Sequence, residues 1–212
     1  ASLGIEWVCL VAIVMQETYA STRQYRDFTM TPADDELREI IDYIHSRGMK
    51  VQLRPMLECF DGTQRLHVVF PGDFMIFPER PVRHATHWFQ SMTERTLHYA
   101  RLATRSGCEA FGIDSEIDQI THFNLEWKQV VAAARSVFGG HLTSSHTDRV
   151  DFLKDLQRPD HWFRDLDSIG TSFYHPVADK PGTPLDEMVA NLQPQLERYR
   201  RIAALYGKPV YF

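Results

Sequence analysis

Apolar residues along the chain recur with a helical period that ends at a glycine and is followed by a short apolar strand. The first such unit has one helical face formed by Leu37, Ile40, Ile41 and Ile44, and Gly48 precedes the apolar run at 49–53. Glycine suits this place because the residue after a helix often adopts a left-handed conformation. The same unit of helix, glycine and strand recurs three more times. Its predicted helices end at Gly107, at Gly139 with Gly140, and at Gly207.

The pattern predicts strands near 5–14, 49–54, 110–115, 141–146, 168–174 and 208–212, mostly alternating with helices. This alternation is typical of a parallel sheet covered by helices, either a doubly wound open sheet or a (β/α)8 barrel. No glycine-rich phosphate motif follows a strand, and polar residues cluster just after strand ends, which favours the barrel. We therefore predict an α/β fold, a (β/α)8 TIM barrel, as a single domain over residues 1–212.

The two ends of the chain indicate that this barrel is incomplete. Residues 1–4 are typical of a helix end that leads directly into an apolar strand, and the chain stops within the apolar run 210–212. Domain termini normally lie at the surface rather than inside a buried strand. We therefore expect the first strand and the last one or two strands to lie outside these 212 residues.

Composition and charge exclude several classes of protein and of binding partner. A hydrophobic fraction of 43% and a net charge of -5 exclude a disordered chain. Lys and Arg form no block of the kind that binds nucleic acid or an anionic membrane. The longest apolar run, at 7–15, is far shorter than the roughly 20 residues that span a bilayer. The three cysteines have no metal-binding spacing. Neither a nucleic acid nor a membrane partner is predicted.

Three acids follow one predicted strand. Asp114, Glu116 and Asp118 come at or just after the end of strand 110–115. In a barrel, the carboxyl ends of the strands form the rim that carries the active site. A partly desolvated glutamate there can stay protonated near neutral pH and donate a proton. Spacing alone leaves two interpretations open, a catalytic carboxylate or solvated loop acids that cap the next helix.

Motifs spread in order along nearly the whole chain carry a resemblance to a known family. They are Lys50-Val51-Gln52-Leu53-Arg54-Pro55, Tyr99-Ala100-Arg101-Leu102-Ala103, Gly112-Ile113-Asp114-Ser115-Glu116-Ile117, Gly140-His141-Leu142-Thr143, the stretch 162–170 and Gly207-Lys208-Pro209-Val210. Together they resemble glycoside hydrolase family 113, the barrel β-mannanases of the large clan of retaining glycosidases. The resemblance implies a retaining endo-β-1,4-mannanase that acts on a β-linked polysaccharide or oligosaccharide, with no metal or organic cofactor.

The resemblance also implies roles for individual residues. Glu116 occupies the place of the general acid/base, the glutamate that ends the fourth barrel strand. The nucleophile, a second glutamate a few residues beyond Gly-Lys-Pro-Val, would then lie after Phe212. Because retaining chemistry needs both carboxyl groups about 5–5.5 Å apart, we expect this exact chain to catalyse almost nothing. Ser115 stands where many families of the clan have an asparagine that contacts the sugar 2-hydroxyl, so the sugar at that position stays open.

Three further residues near strand ends are candidate substrate contacts. Arg54, which is expected to end its strand before Pro55, either hydrogen-bonds a sugar or the nucleophile, or pairs with a neighbouring acid. Tyr174 closes strand 168–174, and a tyrosine there in similar enzymes often hydrogen-bonds the nucleophile. Its alternative role is a rim aromatic packed on a loop. His146 either touches substrate or lies in a solvated loop.

Aromatic residues are expected in two environments. Those expected in the core are Trp88, Trp127 and Trp162. Those expected to stack on sugar faces come from the long loop at 60–84 and are Phe70, Phe74 and Phe77.

Two other hypotheses remain open. One is a barrel without catalysis that serves as a carbohydrate-binding or structural module. A glutamate shortly after Phe212 would favour the enzyme, and another residue type the module. A metal-dependent barrel enzyme is disfavoured because the acids and histidines at the strand ends show no repeated ligand pattern. If Phe212 were the natural end, Glu17 or Glu58 would be the fallback partners of Glu116.

Overall fold

Helices and strands alternate along the chain. The structure, a computed structural model, describes residues 4–72, 74–77, 80–148 and 150–212. Its α-helices are α1 (Asp34–Ser46), α2 (His84–Arg105), α3 (Asn124–Val137), α4 (Val150–Asp155) and α5 (Leu185–Tyr206). Its strands are β1 (Trp7–Gln16), β2 (Lys50–Cys59), β3 (Phe74–Phe77), β4 (Arg80–Val82), β5 (Ala110–Ser115), β6 (His141–Thr147), β7 (Ser168–Ser172) and β8 (Val210–Tyr211). Single 3₁₀ turns lie at Arg65–His67, Asp118–Ile120 and Trp162–Asp165.

Six of the strands form one sheet in the order β1-β2-β5-β6-β7-β8, and every neighbouring pair is parallel. The strand order follows the chain order without the reversal that marks a doubly wound sheet. The sheet is therefore an arc of a (β/α)8 barrel, as predicted, and within the described residues this barrel is incomplete. Strands β3 and β4 form a separate antiparallel hairpin between β2 and α2.

The core lies between the sheet and its helices. In β2, Val51, Leu53 and Leu57 are fully buried, whereas the alternate residues Arg54 and Glu58 are only half-buried. This alternation follows from the pleat, which turns successive side chains to opposite faces. Within the described residues, no helix is both long and apolar enough to cross a membrane.

Three tryptophans join the helices over the sheet. Trp88 of α2, Trp127 of α3 and Trp162 are fully buried, which confirms the predicted core positions. The rings of Trp88 and Trp127 meet at 6.0 Å, and those of Trp127 and Trp162 stack at 4.9 Å. Each such ring removes on the order of 150–250 Å² from water, so the three together bury roughly 450–750 Å².

Two of the predicted strand ends that differ from the structure concern candidate site residues. Strand β2 runs through Pro55 to Cys59, and β7 stops at Ser172 rather than at 174. Pro55 is tolerated because β2 pairs with β5 only through Gln52 and Leu53, so the proline lies past that ladder. Arg54 is consequently a residue in the middle of a strand, not at its end.

The glycines that close the helices fall into two kinds. Gly48, Gly107 and Gly207 have positive φ angles of 75°, 69° and 62°, as expected for left-handed residues after a helix. Gly140 does not, because α3 ends in the extended residue Phe138. A Cβ on Gly140 would lie 2.8 Å from the Glu109 carbonyl oxygen, so glycine permits a close approach of two backbones there.

Candidate active site

Strand β5 carries a bulge just before its carboxyl end. Gly112 pairs with Thr143 and Ser115 pairs with Ser145, so β5 has one residue more than β6 over this interval. Such a bulge bends the strand and re-aims its side chains. Gly112 itself lies under Arg54, since a Cβ there would come within 3.0 Å of the Arg54 Cγ atom.

Glu116 follows the bulge in a strained conformation. Its φ is 62°, and it is the one non-glycine residue with positive φ in the described chain. Its backbone N–H donates to the Ser145 carbonyl oxygen at 2.7 Å, which ties it to β6. A left-handed conformation costs a residue with a Cβ atom roughly 1–2 kcal/mol. Strain of this kind is often found at functional sites, where the surrounding structure maintains it.

The three acids near the end of β5 lie in different environments. The side chain of Asp114 is fully buried, that of Asp118 is 3% exposed and that of Glu116 is 17% exposed. Asp114 Oδ1 lies 3.7 Å from Arg95 Nη2, and its Oδ2 accepts a hydrogen bond from the Ile117 N–H at 3.3 Å. The prediction of three rim acids is therefore corrected, because only Glu116 of the three reaches solvent to a significant extent.

Burial dominates the ionisation of the Asp114–Arg95 pair. It raises the pKa of the Asp114 carboxyl, and the charges of Arg95 and His146 oppose that rise. It also lowers the pKa of Arg95, which the Asp114 carboxylate opposes. The guanidinium nevertheless keeps its proton, because arginine is not deprotonated in proteins. The charged form of Asp114 therefore depends on the guanidinium of Arg95.

His146 lies behind the sheet rather than on the rim. It is a fully buried residue of β6, with its Nδ1 2.8 Å from Asp118 Oδ1 and its Nε2 3.0 Å from Ser144 Oγ. Its ring packs against Trp162 at 5.9 Å and Phe163 at 5.2 Å. Neither interpretation offered by the sequence matches this position, because a residue closed off by the helices neither touches a glycan nor lies in a solvated loop. Arg95, Asp114, Asp118 and His146 together form what we call the buried cluster.

Glu116 shares an arginine with a second glutamate. The Arg65 Nη2 atom lies 3.1 Å from Glu116 Oε2, and its Nη1 atom donates to Glu58 Oε1. The side chains of Arg65 and Glu58 are 21% and 32% exposed. We call these three residues the cavity cluster, since together with Gln64 and Leu66 they line a cavity of about 240 Å³.

Sequence reasoning missed Arg65 and named Glu58 only as a fallback. The signal for Glu58 was present in β2, where Gln52, Arg54 and Glu58 all fall on one face at even spacing. This pattern was not recognised because Pro55 suggested that the strand ends before Glu58. No sequence signal identifies Arg65, because a turn within a long loop is placed by tertiary contacts.

A second cavity, of about 380 Å³, contains two other candidates. It is lined by Arg54, Ser145, Thr171, Ser172, Phe173, Tyr174, Tyr211 and Phe212. Arg54 has no ion pair within the described residues, so the acid-pairing alternative finds no partner there. With its amide oxygen turned toward the guanidinium, Gln52 accepts from Arg54 Nη2 at 3.0 Å.

Tyr174 and Ser115 differ in accessibility. Tyr174 lies two residues past the end of β7 with 86% of its surface exposed, so it is not packed on a loop. Ser115 is 4% exposed, opposite Ser145 in the β5–β6 ladder. The structure thus brings Arg54 and Tyr174 to one cavity and places Glu116 at the other, with Ser115 beside it in sequence.

The aromatic residues expected to stack on sugars are only partly described. Phe70 packs against Trp88, Phe89 and Phe123 at 5.6, 6.2 and 5.3 Å, so its ring belongs to an aromatic cluster beside α2. The side chains of Phe74 and Phe77 lie outside the described part of the chain. Among the side chains that are described, no group of three or more His, Cys, Asp or Glu is arranged to hold a metal ion.

Comparison with known proteins identifies the family. The model of Glycoside Hydrolase Family 113 matches residues 1–212. The chain belongs to glycoside hydrolase family 113. Two solved structures of family 113 β-1,4-mannanases superimpose with TM-scores of 0.81 and 0.78 at 29% and 30% sequence identity. Each match covers 98% of this chain and 60% of the mannanase, so the family 113 barrel described here spans about 60% of their length.

The fold is shared more widely than the sequence. The family 113 β-mannanase of Alicyclobacillus acidocaldarius has a TM-score of 0.79 at 24% identity, covering 98% of this chain and 59% of its own. At that identity the likeness shows the fold alone. No curated protein matches the sequence of the chain.

Proposed function

We propose that this family 113 chain forms the acid/base side of a retaining endo-β-1,4-mannanase, with Glu116 as the general acid/base. The observation that carries the proposal is the difference in burial among the three acids near the end of β5. Asp114 and Asp118 are buried, whereas Glu116 lies at the carboxyl end of a barrel strand and lines a cavity. Active sites of (β/α)8 enzymes lie at this end of the strands.

The chemistry follows the retaining glycosidase scheme. Protonated Glu116 donates its proton to the glycosidic oxygen while a second carboxylate attacks the anomeric carbon, which breaks the bond to the leaving sugar and forms a covalent glycosyl-enzyme. Glu116, now ionised, then takes a proton from water as the water oxygen displaces the carboxylate from the anomeric carbon. Glu116 thus donates a proton in the first step and accepts one in the second. Both roles are consistent with its side chain, which is partly desolvated but still accessible to solvent.

The second carboxylate is proposed to come from the strand region that continues beyond Phe212. Arg54 and Tyr174 line the same cavity as Phe212, so both would face a residue that follows it. We assign them to contact the nucleophile or the sugar. The contact of Ser115 with the sugar beside the scissile bond stays a prediction from the family resemblance, since this residue is 4% exposed. His146 is removed from the substrate contacts because it is fully buried.

The proposal is tested with the protein expressed from its complete open reading frame. Hydrolysis of mannan, glucan and xylan is followed by NMR of the product anomer, which should show retention on mannan. Glu116→Gln should lower turnover of mannan by about 10²–10⁴-fold, the usual worth of a general acid. An aryl mannoside whose phenolate leaves without a proton should lose much less in the first chemical step.

The matched control is Glu39→Gln, which removes the same charge from an exposed position on α1. This variant should retain wild-type turnover. Unchanged turnover of mannan by Glu116→Gln would refute the proposed role, and binding of mannan without hydrolysis by the wild type would favour a carbohydrate-binding module. Residues 1–212 expressed alone should show no turnover, and activity there would make Glu58 the first candidate nucleophile.

A further inference from the structure

Arg65 contacts Glu116 in a way that conflicts with the role of a general acid. A guanidinium beside a carboxyl group favours the ionised form, whereas a general acid must hold its proton when the bond breaks. The 3.1 Å contact between Arg65 Nη2 and Glu116 Oε2 would by itself oppose the first chemical step. An additional feature of the site is needed to balance it.

Glu58 supplies that balance. Its Oε1 accepts from Arg65 Nη1, so the same guanidinium contacts two carboxylates through its two terminal nitrogens. The side chains of Glu58, Arg65 and Glu116 are each at least two-thirds buried, which limits screening by water. The negative charge of Glu58 offsets part of the positive charge of Arg65, so the net field at Glu116 is smaller than that of Arg65 alone.

The elements around Glu116 carry other titratable or charged groups. On the elements around it these are Arg54 on β2, His67 in the turn of Arg65, His146 on β6, and Asp114 and Asp118 on either side of it in sequence. Asp114 pairs with Arg95, Asp118 pairs with His146, and Arg54 lines the neighbouring cavity. In the part of the chain that the structure describes, the ion pairs of Glu116 are with Arg65.

We propose that Glu58 and Arg65 act as a pair of positioning residues that set the charge state of Glu116 through opposite electrostatic effects. Arg65 holds the Glu116 carboxyl at the cavity and favours its ionised form, which serves the second, base-catalysed step. Glu58 weakens that effect, so that Glu116 can be reprotonated for the first, acid-catalysed step. This inference rests on the proposed acid/base role of Glu116 and adds the two residues that tune it.

The test uses the pH dependence of kcat/KM on mannan, whose alkaline limb reports loss of the proton from the general acid in the free enzyme. Glu58→Gln leaves the arginine charge unbalanced, so the alkaline limb should move to lower pH by about 0.5–1 unit. Arg65→Gln leaves the Glu58 charge unbalanced, so the limb should move to higher pH by about the same amount. The two shifts should therefore have opposite signs.

Structural damage is separated from this effect in two ways. Arg65→Lys keeps the positive charge, so its alkaline limb should lie close to the wild-type position rather than at the higher pH expected for Arg65→Gln, even if kcat falls. Glu39→Gln on α1 and Arg105→Gln at the end of α2 remove the same charges from exposed positions, and should leave the limb within about 0.2 unit. Thermal unfolding of each variant reports whether it folds.

The results distinguish this inference from the proposed function. If the wild type does not hydrolyse mannan, or if Glu116→Gln stays active, the proposed function fails. If the wild type is active but Glu58→Gln and Arg65→Gln shift the alkaline limb in the same direction, or no further than the controls, the tuning pair is refuted while the role of Glu116 stands. Opposite shifts with recovery in Arg65→Lys support it.

Discussion

The cavity cluster and the buried cluster lie on opposite sides of the same short stretch of chain. The buried cluster pairs Asp114 with Arg95 and Asp118 with His146, and all four side chains are 3% exposed or less. In the cavity cluster, Glu116 and its partners keep between 17% and 32% of their surface exposed. A fully buried acid has no route for exchanging protons with a substrate, whereas a partly exposed one has. Burial therefore separates two closed-off acids from one that solvent can reach within five residues.

The buried cluster also explains how Glu116 is kept in its strained conformation. Asp114 accepts a hydrogen bond from the Ile117 N–H, and Asp118 is fixed by His146 and by the hydroxyl of Thr147. Asp114 and Asp118, two residues before and two residues after Glu116, are thus both held in place beneath the helices. The hydrogen bonds of the buried cluster therefore support the geometry of the cavity cluster.

The largest expected effect comes from unpairing the buried cluster. Arg95→Met leaves the Asp114 carboxylate buried without its cation, which should lower the free energy of unfolding by about 3–5 kcal/mol. Urea unfolding of the protein from the complete open reading frame measures this. Arg101→Met, at an exposed position on the same helix, should change it by no more than about 0.5 kcal/mol. A loss below about 1 kcal/mol for Arg95→Met would show that the pair does not need its cation.

A smaller effect, dependent on pH, is expected at His161 behind the same strands. Burial, reinforced by the charges of His146 and Arg158, lowers the pKa of His161 from 6.5 to about 3. Because the unfolded chain binds this proton more readily, stability should fall as pH falls, by about 2–3 kcal/mol between about pH 6 and about pH 4. His161→Asn keeps an acceptor for the Phe163 N–H and should remove this slope.

The control for the pH experiment is His87→Asn, an exposed histidine on α2. Urea unfolding at each pH should show the wild-type slope for this variant. An equal slope in His161→Asn would mean that other groups cause the loss of stability in acid.

The smallest effect is expected in the cavity cluster, and it has the opposite sign. Glu116→Gly removes the Cβ atom from a residue with a φ of 62°, so stability should rise by about 0.5–1 kcal/mol while mannan hydrolysis is lost. Gln119→Gly, in the following 3₁₀ turn, has no such strain to relieve and should lose stability by about the same amount. A destabilised Glu116→Gly variant would show that the Arg65 contact outweighs the backbone strain.

Much of the fold follows from the sequence because its signals are local. The stripe of Leu37, Ile41 and Ile44 and the left-handed Gly48 lie within one helix and its end, where neighbours along the chain determine the conformation. The lengths of the strands could not be predicted as well from the sequence. Strand β2 continues past Pro55 because its hydrogen-bonded ladder with β5 ends before the proline, which is a tertiary contact.

The site was predictable in part. The resemblance to family 113 indicated Glu116 as the candidate acid/base, whereas spacing alone did not distinguish it from Asp114 and Asp118. A bulge changes which face each side chain takes, and the one between Gly112 and Ser115 has no signature in the residues themselves. The partnership of Glu116 with Arg65 joins positions 51 residues apart, a distance that only the folded loop closes.

The order of strands in the sheet has a consequence for synthesis on the ribosome. Every strand after β1 pairs with one that has already been made, apart from the separate hairpin of β3 and β4. The nascent sheet can therefore grow by one strand at a time, and among its six described strands β1 alone waits for its first partner. Each addition nevertheless joins residues far apart in the chain, such as Trp7 with Lys50 and Gln52 with Ala110. Such non-local parallel pairing slows folding, so the free edge of the growing sheet stays open while the next helix and strand are made.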